Sequence, residues 1–513
     1  MRVRGEQLSF VMSDIYDRYV PQDHFLRELD AAFDFSFIDE MCAHKYKSHL
    51  GGPGRPAEPP QRMFKQLLIM FLYNIKFERE SERRVNDSLS FRWFCGYDLD
   101  ESVASHKTMW AFRKRLGSEL FDEIFARLIH QCIERGLVDK KRWHVDATKQ
   151  DAAATPFSQW EAAVVLVKAM MERLSSMQNV EHNANGKPPA EMDPEMKMLV
   201  AKAAVNVSKL KNVSAARVLA KAEGRVYDPD ADEVASSDDD SEDDVERDEA
   251  QIKHLEATAR DIWSKHPHAK GDADARIGKT STTKSFCGYL STAVVDEKYG
   301  IILGCETVAG NVDQAKTFLP AYNKAKQLAG SPAELAADRA FDVLDIREKL
   351  ESDNVFAYIP MIRSHRTGDV IGSEHFKVTA VGDNFEVICP GGHLMRQVKS
   401  GSDGLRVYRG TACRGCPLSS KCTTAKDGVR SFEIRLRLRK YQERNVEQKK
   451  TAEYKHALKR RMSTIEPIFG HAKTFHNLGK CIYRSLLMNK IHSIMSLFAI
   501  NVEKLVRHAP QGA

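Results

Sequence analysis

Three carboxylates and four cysteines are the side chains in this sequence whose types and spacing could do chemistry. Asp146 lies in WHVDAT, Asp338 in ELAADRAFD and Glu466 in RRMSTIEPIFGHAK. The first two segments are typical of short strands that end near their aspartates, and strand ends of an α/β sheet commonly present reacting groups. Carboxylates held together repel each other unless a cation lies between them, and Mg²⁺ or Mn²⁺ takes oxygen ligands. A pair of such ions would support phosphoryl transfer.

Glu466 is the best candidate for the third carboxylate, and it lies on a predicted helix. Lys473, seven residues later, is about 20° away around that helix, and Lys459 precedes Glu466 by the same interval. A carboxylate flanked by lysines suits metal binding beside a phosphate backbone. Arg461 is predicted to point away from Glu466 on an unbroken helix. The alternative is that the three acids are ordinary solvated or capping residues, since the chain has 71 Asp and Glu residues.

The cysteines Cys389, Cys413, Cys416 and Cys422 lie in a polar stretch rich in glycine. The last three give the pattern C-x2-C followed by C-x5-C. Four thiolates match a tetrahedral Zn²⁺ site, in which His393 could replace Cys389 as the fourth ligand. A closed four-coordinate site has no open position, so the expected role is structural. Reduced surface thiols are the alternative, and the other six cysteines are expected to be packing residues.

The distribution of charge indicates a polyanionic partner such as nucleic acid. The 513 residues carry a net charge of +6, but residues 228–249 hold thirteen acids and one arginine. The rest of the chain therefore carries +18, of which +8 lies in residues 430–461. Such a basic body is typical of nucleic-acid-binding proteins, although a solvated helix face is the alternative for the basic run. The acidic tract 228–249 is expected to be disordered, as a passive loop or as a DNA mimic.

The elements that must position these residues begin with an arm over residues 1–50 and a helical domain over residues 55–138. A helix break is expected near Gly117, and Ser105 is expected to cap the helix that carries Arg113, Lys114 and Arg115. This basic helix suits DNA docking, and a dimerisation domain with a solvated basic face is the alternative.

A mixed α/β core is predicted from two separate parts of the sequence, residues 141–156 and 276–375. The second part contains a hairpin over 289–311, a helix ending at Gly330, and then a strand, a helix and another strand. Residues 157–275 are predicted to be a helical and acidic disordered insertion, and 385–430 a small zinc-ribbon-like insertion. Residues 431–505 follow as a basic segment and C-terminal helices, with RLRLRK (435–440) predicted to be a strand.

The motifs resemble those of a known family. WHVDAT, ELAADRAFD and IEPIFGHAK resemble the catalytic blocks of DDE-type bacterial insertion-sequence transposases, in the subgroup with a cysteine cluster. RMFKQLLIMFLYNI and SHKTMWAFRKRL resemble their N-terminal domain, and the last helical segment resembles their closing helices. The resemblance implies an α/β ribonuclease-H-like mixed sheet with an N-terminal all-α domain. It also implies that Asp146, Asp338 and Glu466 bind Mg²⁺ or Mn²⁺ and that Lys473 contacts DNA. Where related elements often have Arg, four residues before the glutamate, this chain has Met462.

We therefore expect a DNA transposase that cuts at the ends of its insertion element and joins the 3′-OH ends to target DNA. The expected partners are double-stranded DNA and further copies of the chain, in a homodimer or higher oligomer. The alternatives are a metal-dependent nuclease of the same fold without strand transfer, and a catalytically inactive DNA-binding regulator derived from a transposase. The expected DNA contacts are Lys473, Lys459, Arg461, Arg113, Lys114 and Arg115.

Two further features set the expected location. No apolar run approaches the ~20 residues of a membrane span, and the first residues lack the apolar core of a signal peptide. We therefore expect a cytoplasmic, nucleoid-associated protein of a bacterium.

Overall fold

The structure is a computed structural model that describes ten stretches of the chain. They are residues 10–46, 57–184, 192–229, 242–279, 284–361, 371–372, 375–381, 384–401, 404–425 and 427–508. Within these stretches, no helix is both long enough and apolar enough to cross a membrane.

The N-terminal part, as far as it is described, consists of seven α-helices. They are α1 (Phe10–Tyr19), α2 (Phe25–Ala32), α3 (Phe37–Cys42), α4 (Pro60–Leu72), α5 (Glu78–Asp87), α6 (Leu89–Cys95) and α7 (His106–Glu134). The two features predicted for α7 are confirmed. The Ser105 hydroxyl accepts a hydrogen bond from the Thr108 amide at 3.4 Å, and Gly117 interrupts the helix with a φ of 73°. A positive φ is a conformation that glycine adopts without strain.

A mixed sheet forms the centre of the molecule. Its strands are β1 (Arg142–Asp151), β4 (Arg276–Lys279), β5 (Ser285–Asp296), β6 (Ile302–Ala309), β7 (Glu334–Ala337) and β8 (Phe356–Tyr358). They are arranged in the order β4-β5-β1-β7-β8, and β6 pairs with the same edge of β5 as β4. β1 runs antiparallel to β5 but parallel to β7, which is parallel to β8. Two short strands, β2 (Thr155–Pro156) and β3 (Ala269–Lys270), pair with each other outside this sheet.

Most elements predicted for the core are confirmed. The hairpin is β5 and β6, and the following helix, α12 (Ala315–Ala329), ends at Gly330, which has a φ of 78°. β7, α13 (Leu344–Ser352) and β8 follow in the predicted order. The prediction that β1 ends near Asp146 is wrong. β1 continues to Asp151 because β5 pairs with it over that whole length, whereas β7 pairs only with its first four residues.

The N-terminal helices and the sheet share one hydrophobic core. Its centre is the last helix, α17 (Leu486–Arg507), which is buried along most of its length. The Phe498 ring on α17 lies 5.6 Å from the ring of Phe33, 5.2 Å from that of Phe64 and 6.3 Å from that of Phe125. The N-terminal helices are therefore packed into the core of the sheet domain.

The first insertion has a small core of its own. Its helices are α8 (Gln159–Ala184), α9 (Pro194–Ser208), α10 (Ala215–Glu223) and α11 (Glu242–Lys265), and they bury side chains such as Leu166, Val200 and Val218. The disorder predicted for 228–249 is wrong for residues 242–249, which form the start of α11. Residues 230–241 of the acidic tract lie outside the described residues.

The second insertion is built of short antiparallel strands. β9 (Lys377–Val381) pairs with β10 (Asn384–Ile388), and β11 (Arg396–Ser400), β12 (Leu405–Arg409) and β13 (Ser431–Arg435) form a three-stranded sheet. The remaining described α-helices are α14 (Ser419–Cys422), α15 (Leu436–Gln448) and α16 (Ala452–Phe475).

The strand predicted for residues 435–440 is wrong, because β13 ends at Arg435 and α15 begins at the next residue. Leu438 and Tyr441, three residues apart, are both buried, which is a helical spacing. Lys440 of α15 also forms a 2.6 Å ion pair with Glu351 of α13. Packing against α13 thus favours the helix over the alternating strand that the Arg-Leu pattern indicates.

Arg113 provides a test of how the N-terminal helices are joined to the rest. It is 1% exposed, pairs with Glu78 and lies 3.9 Å from the ring centroid of Tyr483, which precedes α17. Arg113→Ala leaves Glu78 without its partner, so we expect a loss of about 3–5 kcal/mol in the free energy of unfolding. The neighbouring exposed residue offers a matched control, Lys114→Ala, for which we expect a change within about 0.5 kcal/mol. Equal urea unfolding midpoints for the two variants would contradict this assignment.

Candidate active site

The parallel register of β1 and β7 brings two of the predicted carboxylates together. Val145 pairs with Ala337, so Asp146 and Asp338 are the next residues of two adjacent strands that run in the same direction. Asp146 accepts a hydrogen bond from the Ala147 amide at 2.8 Å, and Asp338 accepts one from the Arg339 amide at 2.7 Å. These bonds involve only one carboxylate oxygen of each residue, Oδ1.

Glu466 joins this pair through an arginine. It lies on α16, where Arg461 reaches back to the sheet with Nη1 2.8 Å from Oδ2 of Asp146 and Nη2 4.0 Å from Oε1 of Glu466. The prediction that Arg461 points away from Glu466 is therefore wrong. The helix angle between the two positions is wide, but the long guanidinium side chain spans it and lies between the two carboxylates.

The electrostatics of the three acids suit a bound cation. Burial raises the pKa of Asp146, the nearby charge of Asp338 raises it further, and Arg461 and the Ala147 amide offset only part of this. Glu466, in contrast, has a side chain that is 53% exposed. Two acids at the sheet and one exposed acid on a helix give an oxygen-rich donor set that matches hard divalent ions. The residues therefore fit the Mg²⁺ or Mn²⁺ that the sequence predicted.

A second group of charges holds α16 against the sheet, and the sequence gave little sign of it. Nε of Arg460 is 3.3 Å from Oε2 of Glu297, just after β5. Arg142 and His144 of β1 contact the same carboxylate at 2.9 and 3.1 Å. Burial lowers the pKa of His144 to about 4 in spite of Glu297, so this histidine is neutral near pH 7. The consecutive residues Arg460 and Arg461 of α16 thus bind the sheet on both sides of Val145. In the sequence, the only sign of this contact is that two arginines are adjacent.

Lys473 lies on the same helix and borders a cleft. Burial lowers the pKa of Lys473, Lys149 lowers it further, and Asp151 and Asp146 oppose this shift. The cleft has a volume of about 610 Å³ and lies between the α4–α5 loop, the end of β1, β3 and the segment after α16. Its basic side chains are those of Lys76, Lys270, Lys473, Lys480 and Arg484, and no acidic side chain of the described ranges lines it. We call it the basic cleft.

The other residues predicted to contact DNA differ in their surroundings. Lys459 is exposed on α16. Lys114 and Arg115 are also exposed, with their charged groups 4.9 Å from the Trp110 ring and 4.5 Å from the Tyr46 ring. Arg113 is buried and paired with Glu78, so its guanidinium is not on the surface, and its contact with DNA stays a prediction. Arg461 likewise pairs within the site and has a side chain only 11% exposed.

The four cysteines of the second insertion surround one small cavity. Cys389, Cys413, Cys416 and Cys422 line it together with His393, and its volume is about 20 Å³. The Arg430 amide points at the sulfur of Cys413 at 3.5 Å, and a Cβ on Gly391 would lie 3.3 Å from the sulfur of Cys416. The site therefore has thiol donors, a backbone amide directed at sulfur and a glycine where a side chain would crowd them.

A third group of side chains has its possible metal-ligand atoms closer together than either the three carboxylates or the four cysteines. Among the described residues, the only three His, Cys, Asp or Glu side chains whose ligand atoms lie within 4.8 Å of one another are His471, His476 and Glu503. The sequence predicted no role for these three residues, although His471 lies within the motif that contains Glu466.

Comparison with known proteins identifies the family. Residues 14–115 match the family described as a transposase domain (DUF772), and residues 388–506 match the transposase DDE domain. The first match covers most of the N-terminal helices, and the second contains Glu466, Arg461 and Lys473. No curated protein and no solved structure matches the chain. A DDE domain implies a ribonuclease-H-like core, with which the mixed sheet agrees, and the two matches together support a DDE-type insertion-sequence transposase.

Proposed function

We propose that this transposase cuts DNA at the ends of its element and joins the freed 3′-OH ends to target DNA by metal-dependent phosphoryl transfer. The observation that carries the proposal is the β1–β7 register, which puts Asp146 and Asp338 side by side, with Arg461 connecting Asp146 to Glu466. Asp146, Asp338 and Glu466 would hold Mg²⁺ or Mn²⁺. When bound, these ions supply an activated nucleophile and stabilise the leaving oxygen.

The roles of the protein's own residues follow from their exposure. Asp146 lies within β1, Asp338 directly follows β7, and each accepts a backbone amide, so they provide a rigid half of the site. Glu466 is exposed and has only a distant contact with Arg461, so it can turn toward the two aspartates. Arg461 neutralises Asp146 before cations enter, and its guanidinium then becomes available for a DNA phosphate.

The basic cleft is the proposed path of the DNA next to this site. Lys473 borders it, and Lys76, Lys480 and Arg484 are exposed there and pair with no acidic side chain among the described residues. Phe77, 72% exposed, offers an aromatic surface on which a base could stack. Because both ends of an element must be held together, we also propose a dimer or higher oligomer on DNA.

We further propose that Zn²⁺ binds to Cys389, Cys413, Cys416 and Cys422 in a structural role. The cavity they share, the amide directed at Cys413 and the close approach of Gly391 support this proposal. A thiolate site of this kind would fasten β10 to the segment between β12 and β13, which has few buried apolar side chains of its own.

A neutral variant of Asp146 tests the metal site through stability. The pKa of Asp146 is raised in the folded state, so the folded protein binds this proton more tightly than the unfolded chain does. The contribution of Asp146 to the free energy of unfolding therefore falls as pH rises from the ordinary carboxyl pKa through the raised one. In metal-free buffer at pH 7, Asp146→Asn should be more stable than the wild type, and the difference should vanish at acidic pH.

Adding millimolar Mg²⁺ should raise the thermal unfolding midpoint of the wild type but not that of Asp146→Asn, because a cation stabilises only the state that binds it. Asp151→Asn, on the same strand, is the control and should respond to Mg²⁺ as the wild type does. An Mg²⁺ response in Asp146→Asn equal to that of the wild type would remove this residue from the metal site.

Cleavage assays test the proposed reaction. With DNA that flanks the gene and Mn²⁺ present, we expect the wild type to cut at the element ends and to join them to a target plasmid. Asp146→Asn, Asp338→Asn and Glu466→Gln should each reduce cleavage by at least about 100-fold. The control is Glu447→Gln, which removes a carboxylate on α15 outside the site and should leave cleavage unchanged. Any of the three that retains full cleavage is wrongly assigned. Cleavage without joining would favour a nuclease, and DNA binding without cleavage would favour a regulator.

Salt dependence tests the basic cleft. Lys76→Ala, Lys480→Ala and Arg484→Ala should each weaken DNA binding and lower the slope of log K against log salt by about one unit, since each removes one phosphate contact. Lys253→Ala, at an exposed lysine on α11 paired with Glu249, serves as the control and should leave the slope unchanged. Slopes identical to the wild type in all three variants would place the DNA elsewhere.

A further inference from the structure

Three side chains of metal-binding type meet at the C-terminal end of α16, outside the proposed catalytic site. Nε2 of His471 lies 2.9 Å from Oε2 of Glu503, and Nε2 of His476 lies 3.3 Å from Oε1 of the same carboxylate. His471 is on α16, His476 ends that helix, and Glu503 is on α17. Two ligand atoms that each lie about 2.0–2.1 Å from one tetrahedral ion are separated from each other by distances similar to these nitrogen–oxygen distances.

His476 is held in the orientation of a ligand. Its side chain is fully buried, and its Nδ1 is 2.9 Å from the carbonyl oxygen of Phe71 on α4, which can only accept a hydrogen bond. Nδ1 therefore carries the proton, and in the neutral ring Nε2 presents a lone pair. That buried Nε2 has no hydrogen-bond partner and faces the Glu503 carboxylate. A lone pair opposite a carboxylate is repelled unless a proton or a metal cation lies between them.

We propose that His471, His476 and Glu503 form a binding site for a divalent transition-metal ion such as Zn²⁺. Imidazole nitrogen prefers such ions to Mg²⁺, and ligating histidines characteristically donate their other N–H to a carbonyl, as His476 does to Phe71. The side chains of His471 and Glu503 are 42% and 25% exposed, so an ion can enter from solvent. Three protein ligands leave one coordination position for water.

This site lies on the helix that carries Glu466, so an ion bound there would affect the position of that helix. His471 is five residues after Glu466 on the same helix, and Glu503 belongs to the last helix. Just beyond, the Asn477 side chain donates to the carbonyls of Met70 and Ile75, both at 3.2 Å. An ion bound here would fasten the end of the helix that carries Glu466 to α17 and, through His476, to α4. It would thereby fix the position of the helix that carries Glu466, without taking part in phosphoryl transfer.

Cobalt titration of the full chain distinguishes this site from the other two. The metal-free protein is titrated with Co²⁺ in millimolar Mg²⁺, which occupies the carboxylate site. Cobalt bound to thiolates gives intense near-ultraviolet charge-transfer absorption, whereas cobalt bound to nitrogen and oxygen gives only weak visible bands. We expect Co²⁺ to bind at an additional nitrogen-and-oxygen site. Cys416→Ser should abolish any thiolate signal and leave this second site intact.

His471→Gln should weaken the nitrogen-and-oxygen site by more than about 100-fold, because loss of even a hydrogen-bond partner of a ligand costs about 10–100-fold in affinity. Glu503→Gln should have a similar effect, and His130→Gln, at an exposed histidine on α7, should have none. Since His471 is partly exposed, its variant should fold, which circular dichroism verifies. Equal Co²⁺ binding by His471→Gln and the wild type would overturn the proposal. Loss of this site in Asp146→Asn alone would also overturn it and assign the signal to the catalytic carboxylates.

Discussion

The parallel pairing of β1 with β7 is the constraint from which the rest of the site follows. It places Asp146 and Asp338 at the same level of adjacent strands, where burial and mutual repulsion raise the pKa of Asp146. A fold that brings like charges together must supply a counter-charge. Arg461 supplies it from α16, at 2.8 Å from Asp146, and a divalent ion would supply it more fully. In the proposed site, the arginine and the ion would therefore compete for the same carboxylate.

This competition makes α16 the element on which the site depends. The helix carries Arg460 and Arg461 toward the sheet, Glu466 beside Arg461 and Lys473 toward the basic cleft. It is held at its N-terminal half by Glu297 and at its C-terminal end by contacts to α4 and α17. A helix fixed at both ends keeps its exposed glutamate within reach of the sheet while leaving that side chain free to turn. The position of Glu466 is thus set by packing contacts that lie outside the site.

Sequence reasoning predicted the hairpin and the alternation of strands and helices in the core correctly, because these depend on local patterns. It also selected three carboxylates from short motifs, and the β1–β7 register places two of them next to each other. It failed where long-range contacts override local patterns. β1 extends past Asp146 because β5 pairs with it, and residues 436–440 are helical because Leu438 and Tyr441 pack inside. The direction of Arg461 could not be read from helix angles, since a long side chain can reach across a wide angle. His471, His476 and Glu503 are separated by residues that give no motif.

The same limit applies to charge. The sequence gives the number of charged residues, but it does not show which of them form ion pairs within the protein. The basic run of residues 430–461 suggested a DNA-binding surface, yet Arg437, Lys440 and Arg444 pair with Glu348 and Glu351 of α13. Arg460 and Arg461 pair with the sheet, so much of this positive charge is neutralised within the protein. Lys76 lies far in the sequence from Lys480 and Arg484, but the fold gathers all three around one cleft, which has no acidic side chain in the part of the chain that the structure describes. Because a phosphate backbone responds to unneutralised charge, the proposed DNA path relies on these scattered cations rather than on the basic run of residues 430–461.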